Sequence, residues 1–180
     1  FVSLRSAQVS FWAYRGTCSR PQALSQTPLV NSTTIAPGLD TPPVANGIVD
    51  VGSQTDAYSN DGKLNAFAAS GCGKRICAPL WRGDAGTLPP TESSVAVANG
   101  IAFMASGFGK LYAFNAEGCG QAVCQPVWDG KAGDQSSSTP TAHTGVIYVG
   151  ANTGCSQFSC NGGPVAAFSI AGCDCSNRTP

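Results

Sequence analysis

The chain is short of charge. Of its 180 residues ten are basic and ten acidic, which leaves a net charge of zero and a charged fraction of 11%. So few scattered cations cannot build the basic face that a nucleic-acid partner requires. No polybasic segment is present for a membrane surface. Apolar runs are short as well, and none approaches the roughly 20 residues of a spanning helix. The Cys-x-x-Cys-His of haem attachment, the Gly-x-Ser-x-Gly elbow of a hydrolase and the glycine-rich phosphate loop are all missing. The N-terminus shows no secretory leader. It begins at Phe1 within strand-like sequence and reads as a mature or truncated piece, so the missing leader says nothing about export.

Glycine (22), proline (12) and cysteine (9) are abundant, while helix formers are scarce. That balance suits many short strands joined by tight turns. Nine cysteines also point to an oxidising location, extracellular or in the periplasm and cell envelope.

Three segments align with one another. The first runs "VANGIVDVGS" (44–53) and then "DGKLNAFAASGCGKRICAPLW" (61–81). The second runs "VANGIAFMAS" (97–106) and then "FGKLYAFNAEGCGQAVCQPVW" (108–128). The third runs "AHTGVIYVGA" (142–151) and then "GPVAAFSIAGC" (163–173). Their turn glycines Gly47, Gly100 and Gly145 stand 53 and then 45 residues apart. Several short strands at a period near 45 to 50 residues are the mark of propeller blades. The expected class is all-β, with blades of four antiparallel strands. The expected units are 1–43, the end of a preceding blade; 44–96 and 97–141, two blades; and 142–180, a blade incomplete at its C-terminus. About three and a half blades imply a fragment of a larger, six- to eight-bladed propeller.

Within the second unit, strands are expected at 93–98, 101–105 and 110–115, with a fourth starting at Val127-Trp128. Asn99-Gly100 reads as a two-residue hairpin turn. "IAFMA" (101–105) is apolar on both faces, as a strand between two neighbouring sheets has to be.

These units resemble the quinoprotein-type, pyrroloquinoline-quinone-like (PQQ-like) β-propeller repeat. The residues that carry the resemblance are Lys63 to Phe67 with Trp81, Lys110 to Phe114 with Trp128, Val146 to Gly150, and the two Ala-Asn-Gly turns. The match covers roughly residues 44–173. The form with Gly-Cys-x4-Cys-x-Pro-Leu-Trp is similar to repeats of secreted bacterial, often actinobacterial, proteins. The resemblance implies that Trp81 and Trp128 dock one blade against the next; the competing role is a stacking floor for a quinone.

Cys72/Cys77, Cys119/Cys124 and Cys155/Cys160 share one spacing. Local disulfides, a metal clip and reduced thiols compete as readings. Structural zinc wants four convergent ligands, and each pair offers two on a different blade. A redox pair more often shows Cys-x-x-Cys beside a helix. Local disulfides are therefore expected. A six-residue ring contributes only about 2 kcal/mol by chain entropy, but it pins an exposed hairpin. Cys173 matches Cys72 and Cys119, while Cys18 and Cys175 have no partner at this spacing.

The resemblance implies that a quinone-dependent enzyme of this family would carry a carboxylate and a carboxamide on calcium, a catalytic aspartate and often a vicinal Cys-Cys; no vicinal Cys-Cys occurs in this sequence. Most acidic residues are expected in turns, Asp61-Gly62 and Asp129-Gly130 among them. His143 is expected in a strand-connecting turn as a solvated side chain rather than a general base. The loop "SQTDAYSNDG" (53–62) is the nearest approach to a calcium loop, and a polar insertion is the preferred reading. Asn31 and Asn177 match the glycosylation acceptor pattern. No catalytic, cofactor or metal residue is expected. The leading reading is a non-catalytic extracellular module that binds an unknown protein or glycan ligand. The alternative is a portion of a PQQ-dependent oxidoreductase whose cofactor residues lie elsewhere. A third reading is a propeller-type outer-membrane assembly factor.

Overall fold

The computed structural model describes residues 42–53, 62–74, 76–85, 94–136, 138–155 and 162–172. These residues form strands and no helix. The first sheet contains β1 (Val44–Ala45), β2 (Ile48–Ser53), β3 (Lys63–Ala68) and β4 (Trp81–Asp84). The second contains β5 (Ala96–Ala98), β6 (Ile101–Ala105) and β7 (Lys110–Asn115). A two-residue strand, β8 (Val123–Cys124), follows β7 and leaves that sheet, which β9 (Trp128–Lys131) completes. The third sheet is β10 (Thr141–His143), β11 (Val146–Gly150) and β12 (Val165–Ser169). Each is an antiparallel meander in chain order.

The first turn of every sheet follows from local chemistry. Ala45 faces Ile48, Ala98 faces Ile101 and His143 faces Val146, so two residues close each hairpin. Both must take positive φ to match the twist of the strands. Asn46 and Asn99 do so at 49° and 51°, each followed by glycine at 76°. The third turn places Thr144 at 46°, where a β-branched side chain is strained, and the fold around it holds it there.

Strand alternation then stacks the sheets. Leu64, Ala66 and Trp81 of the first sheet pack against Ala102, Met104, Tyr112 and Phe114 of the second. The opposite side of the second sheet, Phe103, Ala105, Leu111 and Ala113, packs against Ile147 and Val149 of the third. The middle sheet has no solvent face, and Ala102, Phe103, Met104 and Ala105 are all fully buried. This accounts for the run "IAFMA". The architecture is a partial β-propeller with two seams between consecutive blades.

Several expectations shift in detail. The strand expected at 93–98 is ordered as a strand only over Ala96–Ala98, and the fourth strand starts at Trp128 rather than Val127. Asp129-Gly130 is not a turn: both residues lie inside β9, opposite Tyr112 and Leu111. The following turn falls later, because strand pairing with β7 outweighs the local turn preference of Asp-Gly. His143 is the last residue of β10 and exposed, one place before the turn itself. The unit expected over 1–43 lies almost wholly outside the described residues.

Candidate functional site at the blade seams

The seams repeat one device. Trp81 is followed two residues later by Gly83, and Trp128 by Gly130. A Cβ on Gly83 would stand 2.7 Å from the Phe114 ring of the next sheet, and one on Gly130 would stand 2.6 Å from Phe168. Only glycine leaves room for that ring. In return, each tryptophan lies on a glycine of the next blade. A Cβ on Gly118 would meet Trp81 at 2.7 Å, and one on Gly172 would meet Trp128 at 2.8 Å. Gly118 and Gly172 also hold φ of +86° and +84°, which L side chains resist. Each seam is therefore a reciprocal lock of Trp on Gly and Phe on Gly. Trp81 meets Phe114 at 6.4 Å between centroids, and Trp128 meets Phe168 at 6.0 Å and Phe103 at 5.8 Å, all in tilted geometry.

The cysteines extend the first lock. Cys72–Cys77 closes the connection from β3 to β4, and Cys119–Cys124 the connection from β7 to β9. The second of these reaches across to the neighbouring blade. β8 lies parallel to β4, with Val123 opposite Arg82 and Cys124 opposite Gly83, and becomes the fifth strand of the first sheet. The Arg82 amide donates to the Ala122 carbonyl at 2.9 Å. Cys124 is buried in the same apolar cluster as Trp81. Cys155 is disulfide-bonded. Cys160, its expected partner, lies outside the described residues, as do Cys18, Cys173 and Cys175.

Trp81 and Trp128 differ in surroundings. Trp81 is 3% exposed, and its indole N–H is buried without a hydrogen-bond partner. Trp128 is half-buried, and its N–H donates to the Ile170 carbonyl at 3.1 Å. An open cleft of about 520 Å³ runs beside Trp128, with Asn99, Asn115, Val127 and Ile170 on its walls.

Two lysine–aspartate pairs bridge neighbouring strands. Lys63 pairs with Asp84 at 2.6 Å, and Lys110 with Asp129 at 2.7 Å. The hydrogen bond to Asp129 holds the Lys110 pKa above its usual value. Asp50, on β2, is by contrast 1% exposed with neither carboxyl oxygen bonded. It lies inside a strand rather than in a turn, the more common place for aspartate. Reading the repeat position by position would have exposed it, since the matching residues are Phe103 and Tyr148.

Among the described residues, no three of His, Cys, Asp and Glu converge on a point that could hold a metal ion. Asp50 stands alone in an apolar seam, and Trp81 offers no free ring face. Most of the loop 53–62 lies outside the described residues.

No family model and no curated protein matches the chain. Solved structures do. One is a europium-containing methanol dehydrogenase, at a TM-score of 0.50 and 18% identity over 73% of this chain and 22% of that one. Another is a quinohemoprotein alcohol dehydrogenase from Comamonas testosteroni, at 0.49 and 16% over 76% and 20%. A third is BamB from Moraxella catarrhalis, at 0.45 and 15% over 71% and 32%. The chain spans a third or less of the length of each. The likeness to the first, together with the stacked meanders, defines the fold as propeller blades. At such identities it defines nothing about activity.

Proposed function

We propose that the chain is a non-catalytic propeller module that works outside the cytosol, in the extracellular space or the cell envelope, and binds a protein or glycan ligand. The observation that carries this reading is the stapled hairpin of the second blade, built into the edge of the first sheet. A disulfide used in this way is architectural. It holds a rigid surface in an oxidising place, and it leaves no thiolate for redox or metal chemistry. The exposed side chains around the staples, Ile76 and Leu80 on one blade and Val123 and Val127 on the next, supply repeated apolar contact points. The cleft beside Trp128 adds an aromatic ring with two carboxamides, groups that suit either ligand class.

The test has two arms. Peptide mapping of the secreted and cytosolic fractions without reduction is expected to find the protein exported and linked Cys72–Cys77 and Cys119–Cys124. Titration with pyrroloquinoline quinone and calcium, followed by tryptophan fluorescence, is expected to give no saturable quenching. Stoichiometric quinone binding would instead support the oxidoreductase portion. A cytosolic protein with alkylatable thiols at those positions would overturn the exported module.

A further inference from the structure

The third residue after the turn glycine is Asp50 in the first sheet, Phe103 in the second and Tyr148 in the third. Phe103 fills the second seam and is fully buried. The repeat thus provides for an aromatic ring at a seam, and the first seam holds a carboxyl. The Asp50 amide donates to the Pro43 carbonyl at 3.2 Å, so the backbone there is satisfied, while both side-chain oxygens are orphaned. Among the described residues, nothing charged answers them. On this side of the first sheet stand Ile48, Leu64 and Ala66; the second sheet contributes Val97, Ala102 and Met104. The titratable groups on the facing side of the second sheet are Tyr112, Lys110 and Asp129, grouped toward the outer strands, where Lys110 and Asp129 are paired with each other.

We infer that Asp50 makes the seam between the first and second sheets a pH-sensitive joint, tight while its carboxyl keeps its proton and easier to open as the solution draws that proton off. An ionised carboxylate in an apolar seam must either recover water or forgo hydration, and opening the seam returns the water. Burial alone pushes the Asp50 pKa up from 3.8 to about 7. The closed state therefore holds the proton across the acid range in which an opened, solvated Asp50 has already released it. Opening gains about tenfold per pH unit between those two values and levels off above the higher one. The second seam, with Phe103 in this place, has no such dependence and serves as an internal control.

The experiment is amide hydrogen exchange at pH 5 to 8, corrected for intrinsic exchange, on β2 and β3 relative to β11 and β12. It is run on the unsubstituted protein and on Asp50→Asn, alongside a carbon-detected NMR titration of the Asp50 carboxyl. The expected result is relative protection of β2 and β3 that falls about tenfold per pH unit up to pH 7 and then flattens. The Asn variant should show a flat ratio, and the carboxyl should titrate near 7. A ratio independent of pH, an equal loss in the Asn variant, or a carboxyl titrating near its ordinary value would each overturn the inference. If Asp50→Asn does not fold, the carboxyl titration and the exchange ratio of the unsubstituted protein decide the matter by themselves.

Discussion

The two seams come from one repeat and are finished differently. Both use a Trp-x-Gly of one blade against a Phe and a Gly of the next. At the first seam, the stapled hairpin closes over the tryptophan, burying Trp81 and Cys124 together. That seam also contains two unsatisfied polar groups, the Asp50 carboxyl and the Trp81 indole N–H. At the second seam, Trp128 keeps its hydrogen bond to Ile170, Phe103 replaces the carboxyl, and the tryptophan stays half-buried beside an open cleft. The first seam thus combines the deeper burial with the larger polar cost. One lock can be elaborated in opposite directions, because the lock itself needs only two rings and two glycines.

The largest expected effect comes from cutting the lock where it is deepest. Trp81→Ala should cost about 3–5 kcal/mol of stability in urea unfolding, as for a fully buried large aromatic. Trp128→Ala should cost less, since part of its ring already meets solvent; equal losses would break the comparison.

Next comes pH. Asp50 has its folded pKa raised, so its contribution is fully present below the unfolded value near 4 and is lost progressively as pH rises to about 7. Three units correspond to about 4 kcal/mol as an upper figure. Chemical denaturation across that range should show the decline in the unsubstituted protein, and Asp50→Asn should remove it.

The staples should separate next. Replacing Cys72 and Cys77 by serine should cost about 2 kcal/mol, the ring entropy alone. Replacing Cys119 and Cys124 should cost more, because β8 then loses its hold on β4, and thermal unfolding of the two double variants measures the gap. The smallest effect is expected at the rim. Lys63 and Asp84 are about a third exposed on each side, so Lys63→Ala should cost no more than about 1 kcal/mol. It should cost still less at high salt.

Much of the blade was legible in the chain. The Asn-Gly pairs fixed the hairpins, and the doubly apolar "IAFMA" correctly indicated a strand between two sheets. The strand limits Ile101–Ala105 and Lys110–Asn115 agree in sequence and structure. Asp129-Gly130 misled because its turn propensity is local, whereas its pairing with β7 is not. β8 was invisible, since a two-residue strand has no period and its partner lies in another blade. The glycines of the lock were unread for a similar reason: Gly83 and Gly130 matter through rings 31 and 38 residues downstream, Phe114 and Phe168. Asp50 was legible only as a departure from the repeat.

The most direct test of the interlocked account is the exchange rate of one amide, that of Arg82, by NMR before and after selective reduction of Cys119–Cys124. Its hydrogen bond goes to Ala122 at the base of β8, so it reports the clamp rather than the sheet. The account predicts strong protection in the oxidised protein, lost on reduction, while β7 keeps its own. An Arg82 amide that exchanges freely in the oxidised protein would contradict it.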